Sequence, residues 1–209
     1  LLGHLTEVRK NDKIIDLCSG NGVIPLLLSA KCTQSIEGIE VQPQLVDMAR
    51  RSFVLNQLDS KLTMHLMDLK TVNRTFKPSQ YTLVTCNPPY FKMNQLNQHQ
   101  IEAHKIARHE VMCDLKDCVV AAKHVLKEGG RFIIVHRAER LMDVLTEMRS
   151  AKIEPKRLTL VYSKMNKPAQ AIVVEGRKGG KQGLDIRQPL YIYNEDNTYS
   201  DEMKGIYYG

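Results

Sequence analysis

The 209-residue sequence has no Cys-x-x-Cys pair and an odd total of five cysteines. A disulfide frame or zinc module shows paired, closely spaced cysteines. Cys18, Cys32, Cys86, Cys113 and Cys118, each in an apolar strand or helix context, therefore read as reduced thiols. Neither a catalytic cysteine nor a metal is expected. A membrane span needs about 20 apolar residues, and the longest apolar stretches, such as VIPLLLSA at 23–30, fall far short of it. No charged, apolar and small-residue leader opens the chain either, so the expectation is a cytosolic protein without a membrane partner. Internal repeats and low-complexity tracts are also missing. At 43% hydrophobic content the length fits one globular domain, 1–209, with an α/β core at 1–150 and a smaller C-terminal part at 151–209.

Charge is unevenly spread. The formal net charge is +7; residues 1–122 carry 14 basic and 12 acidic side chains, residues 123–187 carry 15 and 7, and residues 188–209 carry 1 and 4. A polyanionic partner explains the excess in the middle block, because each phosphate contact releases counterions. A solvated basic surface explains it equally well.

Periodicity orders the elements. LLGHLTEVRK (1–10) reads as the end of a helix, KIIDLC (13–18) as a buried strand, and VIPLLLSAKC (23–32) as a short helix. SIEGIEV (35–41) is a second strand, followed by a helix over 43–58 with Pro43 at its first position. LTMHLMDL (62–69) and YTLVTC (81–86) are further strands. The segment 114–130 reads as a helix with a glycine stop, and RFIIVH (131–136) as a fifth strand. After a helix at about 139–150, strands RLTLVYS (157–163) and AIVVEG (171–176) are joined by KMNKPAQ as a hairpin. The predicted fold is a doubly wound, mostly parallel α/β sheet with a C-terminal antiparallel hairpin.

Two motifs carry the chemistry. DLCSGNG (16–22) is a strand followed by a glycine turn, and about 70 residues later strand 81–86 runs into Asn87-Pro88-Pro89-Tyr90. An amine conjugated to a ring or carbonyl is a poor nucleophile because its lone pair is delocalised. The Asn87 side-chain oxygen and the Pro88 carbonyl can each accept one N–H of such an amine, which lets the lone pair localise toward an electrophile. The prolines stiffen the backbone behind those acceptors, and Tyr90 offers a ring for stacking. Alone, the tetrapeptide would read as a surface turn; its place after a strand and downstream of a glycine turn favours methyl transfer to a planar amine.

A Rossmann-type crevice binds its ligand at the carboxyl ends of the strands, where Gly20 and Gly22 give the ligand room near the backbone. The third glycine of a dinucleotide fingerprint is lacking, which disfavours NAD. Asp16, ending the first strand, is placed to meet the amino group of a methionine moiety, directly or through water. Glu40, ending the second, is placed to accept ribose hydroxyls. Asp68, ending the third, reads as an acceptor for an adenine amine or as a helix cap or turn residue.

These residues resemble the class I methyltransferases that use S-adenosylmethionine, over nearly the whole chain. Within them DLCSGNG, GIEVQPQ, TCNPPYF and IARHE (106–110) resemble the bacterial valine-tRNA (adenine-N6) methyltransferase family, which methylates the adenine beside the anticodon. The resemblance implies Asp16, Gly20, Gly22, Glu40 and Asp68 at the cofactor, and Asn87, Pro88 and Tyr90 at the target base, with tRNA as partner. The same tetrapeptide occurs in enzymes that methylate DNA bases and release-factor glutamine. Protein-glutamine methylation is therefore the alternative activity, and a nonenzymatic RNA-binding module the alternative of another class. The family's upstream segment, with aromatic residues that close over the cofactor, is not part of this sequence.

His99, His104 and His109 do not read as a metal site, because a spacing of five turns successive rings about 140° apart on a helix. Arg108 reads as a phosphate contact or a surface ion pair. Lys164 and Lys167 in the hairpin turn, with Arg177, Lys178 and Lys181 in the glycine-rich GRKGGKQG, are expected to form a mobile cationic rim for an RNA backbone. Oligomeric state leaves no mark in the sequence.

Overall fold

Four apolar runs bounded by turn formers build one half of the sheet. In this computed structural model, which describes residues 1–89 and 113–208, they are β1 (Ile14–Leu17), β2 (Ile36–Glu40), β3 (Leu62–Leu66) and β4 (Tyr81–Cys86). They lie parallel in the order β3-β2-β1-β4. β1 is buried at every position, as a central strand covered on both faces must be. β5 (Leu126–Arg137) extends the parallel set. β6 (Ile153–Tyr162) and β7 (Ala169–Lys178) form a hairpin, with β7 antiparallel between β5 and β6. Two short strands, β8 (Asp185–Ile186) and β9 (Leu190–Tyr191), add to β6. The mostly parallel α/β sheet with an antiparallel hairpin is the architecture that the periodicity predicts.

The helices among the described residues are α1 (Leu2–Leu5), α2 (Val23–Ser29), α3 (Pro43–Leu55), α4 (Val72–Thr75), α5 (Leu115–Val125), α6 (Leu141–Ser150) and α7 (Asp201–Tyr208). None is long and apolar enough to cross a membrane. Alternate residues of each strand feed opposite sides of the sheet. Ile15, Leu17, Val84, Phe132 and Ile134 pack with Val119 of α5 and Val144 of α6, while Ile14, Leu83 and Ile133 pack with Leu28 of α2 and Phe53 of α3.

Several limits differ from the sequence reading. The helix expected over 114–130 ends at Val125, and Leu126 is already extended and pairs with Tyr81. Leu126 is fully buried, so its packing outweighs the helix propensity of the following residues, and the expected glycine stop is instead a register shift between Tyr81 and Leu83 within the β4–β5 pairing. The expected N-terminal helix over 1–10 is a single turn, the first hairpin strand starts at Ile153 rather than at 157 and ends at Tyr162, and the second runs over Ala169–Lys178 rather than 171–176. α4, β8, β9 and α7 are too short or too polar to leave a periodic signal.

Candidate active site

β1 runs out at Leu17 into a sharp turn. Cys18 and Gly20 have φ of 56° and 58°, and Gly22 has φ of 79°. Glycine is needed at Gly22 on two counts, since a Cβ there would lie 2.8 Å from the Phe53 ring and 2.9 Å from Ala49. At Gly20 a Cβ would meet nothing within 4 Å. The turn is held from β2: the Ser19 N–H donates to the Ile39 carbonyl at 2.8 Å, and the Gly20 N–H to Glu40 Oε2 at 2.9 Å. Glu40 Oε1 accepts the N–H groups of Val41 and Gln42, each at 2.9 Å. Three backbone donors thus fix this buried carboxylate.

A cavity of ≈ 300 Å³ opens at the carboxyl ends of β1, β2 and β4, at the small end of the range for ligand sites. Gly20, Asn21, Glu40, Asp68, Asn87 and Pro89 line its polar side, and Ile24, Leu45 and Met67 contribute apolar wall. Asn87 is exposed directly after the buried Cys86, and Pro88 is buried behind it. Tyr90 and Arg108 lie outside the described residues, as do His99, His104 and His109.

Asp68 takes the cap position that one of its two readings expects. Its Oδ1 accepts the Lys70 N–H at 2.9 Å and caps the 3-10 turn Leu69–Thr71, and the residue also lines the cavity. Asp16 is 1% exposed and off the cavity lining, with Oδ1 accepting the Thr85 hydroxyl at 2.6 Å, so of its two expected modes of contact, direct or through water, the burial disfavours the direct one. Burial pushes its carboxyl up to about 7, against the lowering effect of the Thr85 hydroxyl.

The expected single cationic rim is corrected by the strand lengths. The turn holding Lys164 and Lys167 sits at the Arg137 end of β5, at the same carboxyl end of the parallel strands as the cavity, because Ala171 pairs with Arg137. Arg177 pairs with Arg131 at the other end, and ten residues of β7 at about 3.3 Å each separate the two groups by roughly 30 Å. Lys178 is not mobile: its Nζ donates to the Lys123 and Leu126 carbonyls at 2.8 and 2.7 Å, closing the end of α5. Lys181 is exposed on that same far edge. Lys164 is half-buried, with Nζ donating to the Glu195 carbonyl at 3.0 Å, and Lys167 is exposed.

One grouping escapes sequence reasoning altogether. Cys18, Cys113 and Cys118 bring their thiols together against the cavity, with Cys18 and Cys113 on its lining. Separations of 95 and 100 residues leave no spacing signal.

Comparison with known proteins agrees with this geometry. The tRNA1(Val) (adenine(37)-N6)-methyltransferase of Aeromonas hydrophila is 24% identical over 203 residues, covering 96% of this chain and 83% of that protein. The protein of the same name from Edwardsiella ictaluri is 25% identical over 199 residues, covering 93% and 79%. The crystal structure of a predicted O-methyltransferase from Agrobacterium tumefaciens superposes with a TM-score of 0.77 at 17% identity, over 99% of this chain and 93% of that one, and shares the fold. The methyltransferase small domain model matches residues 1–153, nearly the whole parallel sheet and the turn, cavity and Asn-Pro-Pro segment just described, and the chain belongs to that family.

Proposed function

We propose that this methyltransferase uses S-adenosylmethionine to methylate the exocyclic N6 amine of an adenine in the anticodon loop of tRNA. The observation that carries the reading is that Asn87 and Pro89, at the end of β4, share one cavity with Gly20 and Glu40. The cavity suits a methionine-linked nucleoside. Gly20 leaves open space at the turn, Ile24, Leu45 and Met67 offer apolar surface to a purine, and Glu40 is an immobilised acceptor. Three of the roughly four acceptor directions of its carboxylate are taken by backbone donors, which leaves one for a ribose hydroxyl. When bound, S-adenosylmethionine supplies an electrophilic methyl group on its sulfonium.

The chain's own residues then have to hold and activate the amine. The Asn87 side-chain oxygen and the Pro88 carbonyl accept its two N–H groups and turn its lone pair out of conjugation with the ring. Rotation of Asn87 is limited by the rigid Pro88-Pro89 backbone that follows it. No covalent bond to the enzyme is required, and positioning does the work. An anticodon loop presents bases already unstacked, so the cost of extruding one is small. The names of the relatives and the two lysines at the same end of the sheet as the cavity support tRNA over a peptide substrate.

The test is methyl transfer from labelled S-adenosylmethionine to unmodified bulk tRNA and, in parallel, to a peptide release factor. Digestion of the tRNA to nucleosides should yield N6-methyladenosine as the labelled product. Label on release-factor glutamine with none in tRNA would overturn the reading.

A further inference from the structure

We infer that Cys18, Cys113 and Cys118 form a binding site for one thiophilic divalent metal ion, zinc or a chemical equivalent, in the inner wall of the cavity. The inference rests on the thiol geometry and stands independently of the tRNA reading. The Sγ atoms of Cys18 and Cys113 are 3.3 Å apart, those of Cys18 and Cys118 4.0 Å, and those of Cys113 and Cys118 3.9 Å. Three thiolates at about 2.3 Å from a tetrahedral zinc ion stand about 3.8 Å from one another. The triangle therefore matches a metal-bound one to within roughly half an ångström, with no element having to move.

Its frame is rigid on both sides. Cys18 holds a left-handed backbone, φ 56°, directly after β1, a conformation unfavourable for a residue other than glycine that persists only where the surroundings enforce it. Cys113 and Cys118 flank the start of α5, which is locked by a reciprocal cap: the Asp117 N–H donates to Asp114 Oδ1 at 2.8 Å and the Asp114 N–H to Asp117 Oδ2 at 3.1 Å. Cys86, fully buried at the end of β4, adds a fourth thiol in contact with Cys18 and Cys118. Core packing alone gives no reason for four sulfurs to converge. Cys32 stands apart, its thiol donating to the Asp12 carbonyl at 3.1 Å. Because Cys18 and Cys113 line the cavity, an ion has a path in.

The binding step balances as three thiols plus one divalent ion giving a tris-thiolate complex of net charge −1 and three protons. Thiols without a metal are largely protonated at neutral pH, so the proton release is measurable.

The experiment takes the full chain, stripped with a chelator and kept in a phosphine reductant, and titrates it with cobalt(II) and then zinc(II). A sulfur-to-cobalt charge-transfer band should saturate at one equivalent, release protons in step, and be bleached by zinc. Cys18→Ser and Cys113→Ser should each weaken binding at least ten-fold, since even outer-sphere changes cost about 10- to 100-fold, while Cys32→Ser should bind as wild type does. Circular dichroism of each variant separates loss of the site from loss of the fold, and Cys113, half-exposed, is the less disruptive position. Absence of a charge-transfer band in wild type, or equal affinity in a folded Cys113→Ser variant, would overturn the site.

Discussion

Asp16 sits one residue before the end of β1, with its carboxylate against the Thr85 hydroxyl of the neighbouring strand and almost no surface open to water. Burial raises it from the usual 3.8 to about 7. Between those values the folded chain binds more protons than the unfolded one, so this group's contribution to stability is full below pH 4, falls as pH rises, and is gone above about 7. At about 1.4 kcal/mol per unit, the decline amounts to roughly 4 kcal/mol at most. Asp16→Asn keeps an oxygen for Thr85 and removes the titration. Urea unfolding should therefore show the variant gaining on wild type from pH 4 to pH 8; parallel stability profiles would contradict the buried, neutral assignment. Asn87 lies at the opposite extreme, exposed on the cavity wall. Under the proposed mechanism, Asn87→Ala should lower single-turnover methyl transfer about 100-fold or more and leave cofactor affinity nearly unchanged. Activity within a few-fold of wild type would remove Asn87 from the mechanism.

The glycine turn and the end of α5 show how far the elements were legible. Central strands announce themselves because burial on both faces demands apolar residues throughout, and β1, β2 and β4 lie where their apolar runs predict. The turn was legible for the same reason in reverse: only glycine tolerates both the backbone of Gly22 and the closeness of Phe53. Gly22→Ala should cost at least roughly 2 kcal/mol through strain and overpacking together, whereas Gly20→Ala, with open space around it, should cost about 1 kcal/mol. Thermal unfolding of the two variants checks the order. The end of α5 was not legible, because it is set by Leu126 packing into the core and by a lysine 52 residues away in the chain. Lys178 reads as a free cation in sequence, yet its Nζ satisfies two carbonyls that the helix cannot. Lys178→Met retains the stem and loses the donor, and should destabilise the fold by about 1–3 kcal/mol. The thiol triangle is illegible for a related reason: contact between positions 18, 113 and 118 is created by the β1–β4 crossover and the α5 cap, neither of which leaves a local spacing.

At the scale of the whole molecule, the cations of the hairpin turn and of the glycine-rich loop are divided by the length of β7 between two opposite edges of one sheet. The cavity opens at only one of them. Lys164 and Lys167 stand on that edge, and the Lys164 ammonium, with one donor on Glu195, retains two of its three for a phosphate. Lys181 stands on the far edge, roughly 30 Å away, too far to share a short stretch of backbone with a base held at Asn87. The net charge of +7 draws in any polyanion, but each lost phosphate contact lowers the salt slope by only about 0.7–0.9 of a log-log unit, so the two edges can be told apart. Replacing Lys164 and Lys167 together with Ala should weaken tRNA binding and flatten its salt dependence by up to about 1.4–1.8 units, with cofactor binding intact. Lys181→Ala should change neither. If the far-edge variant loses affinity and the double variant does not, the RNA approaches from the edge away from the cavity, and the adenine cannot be the one presented to Asn87.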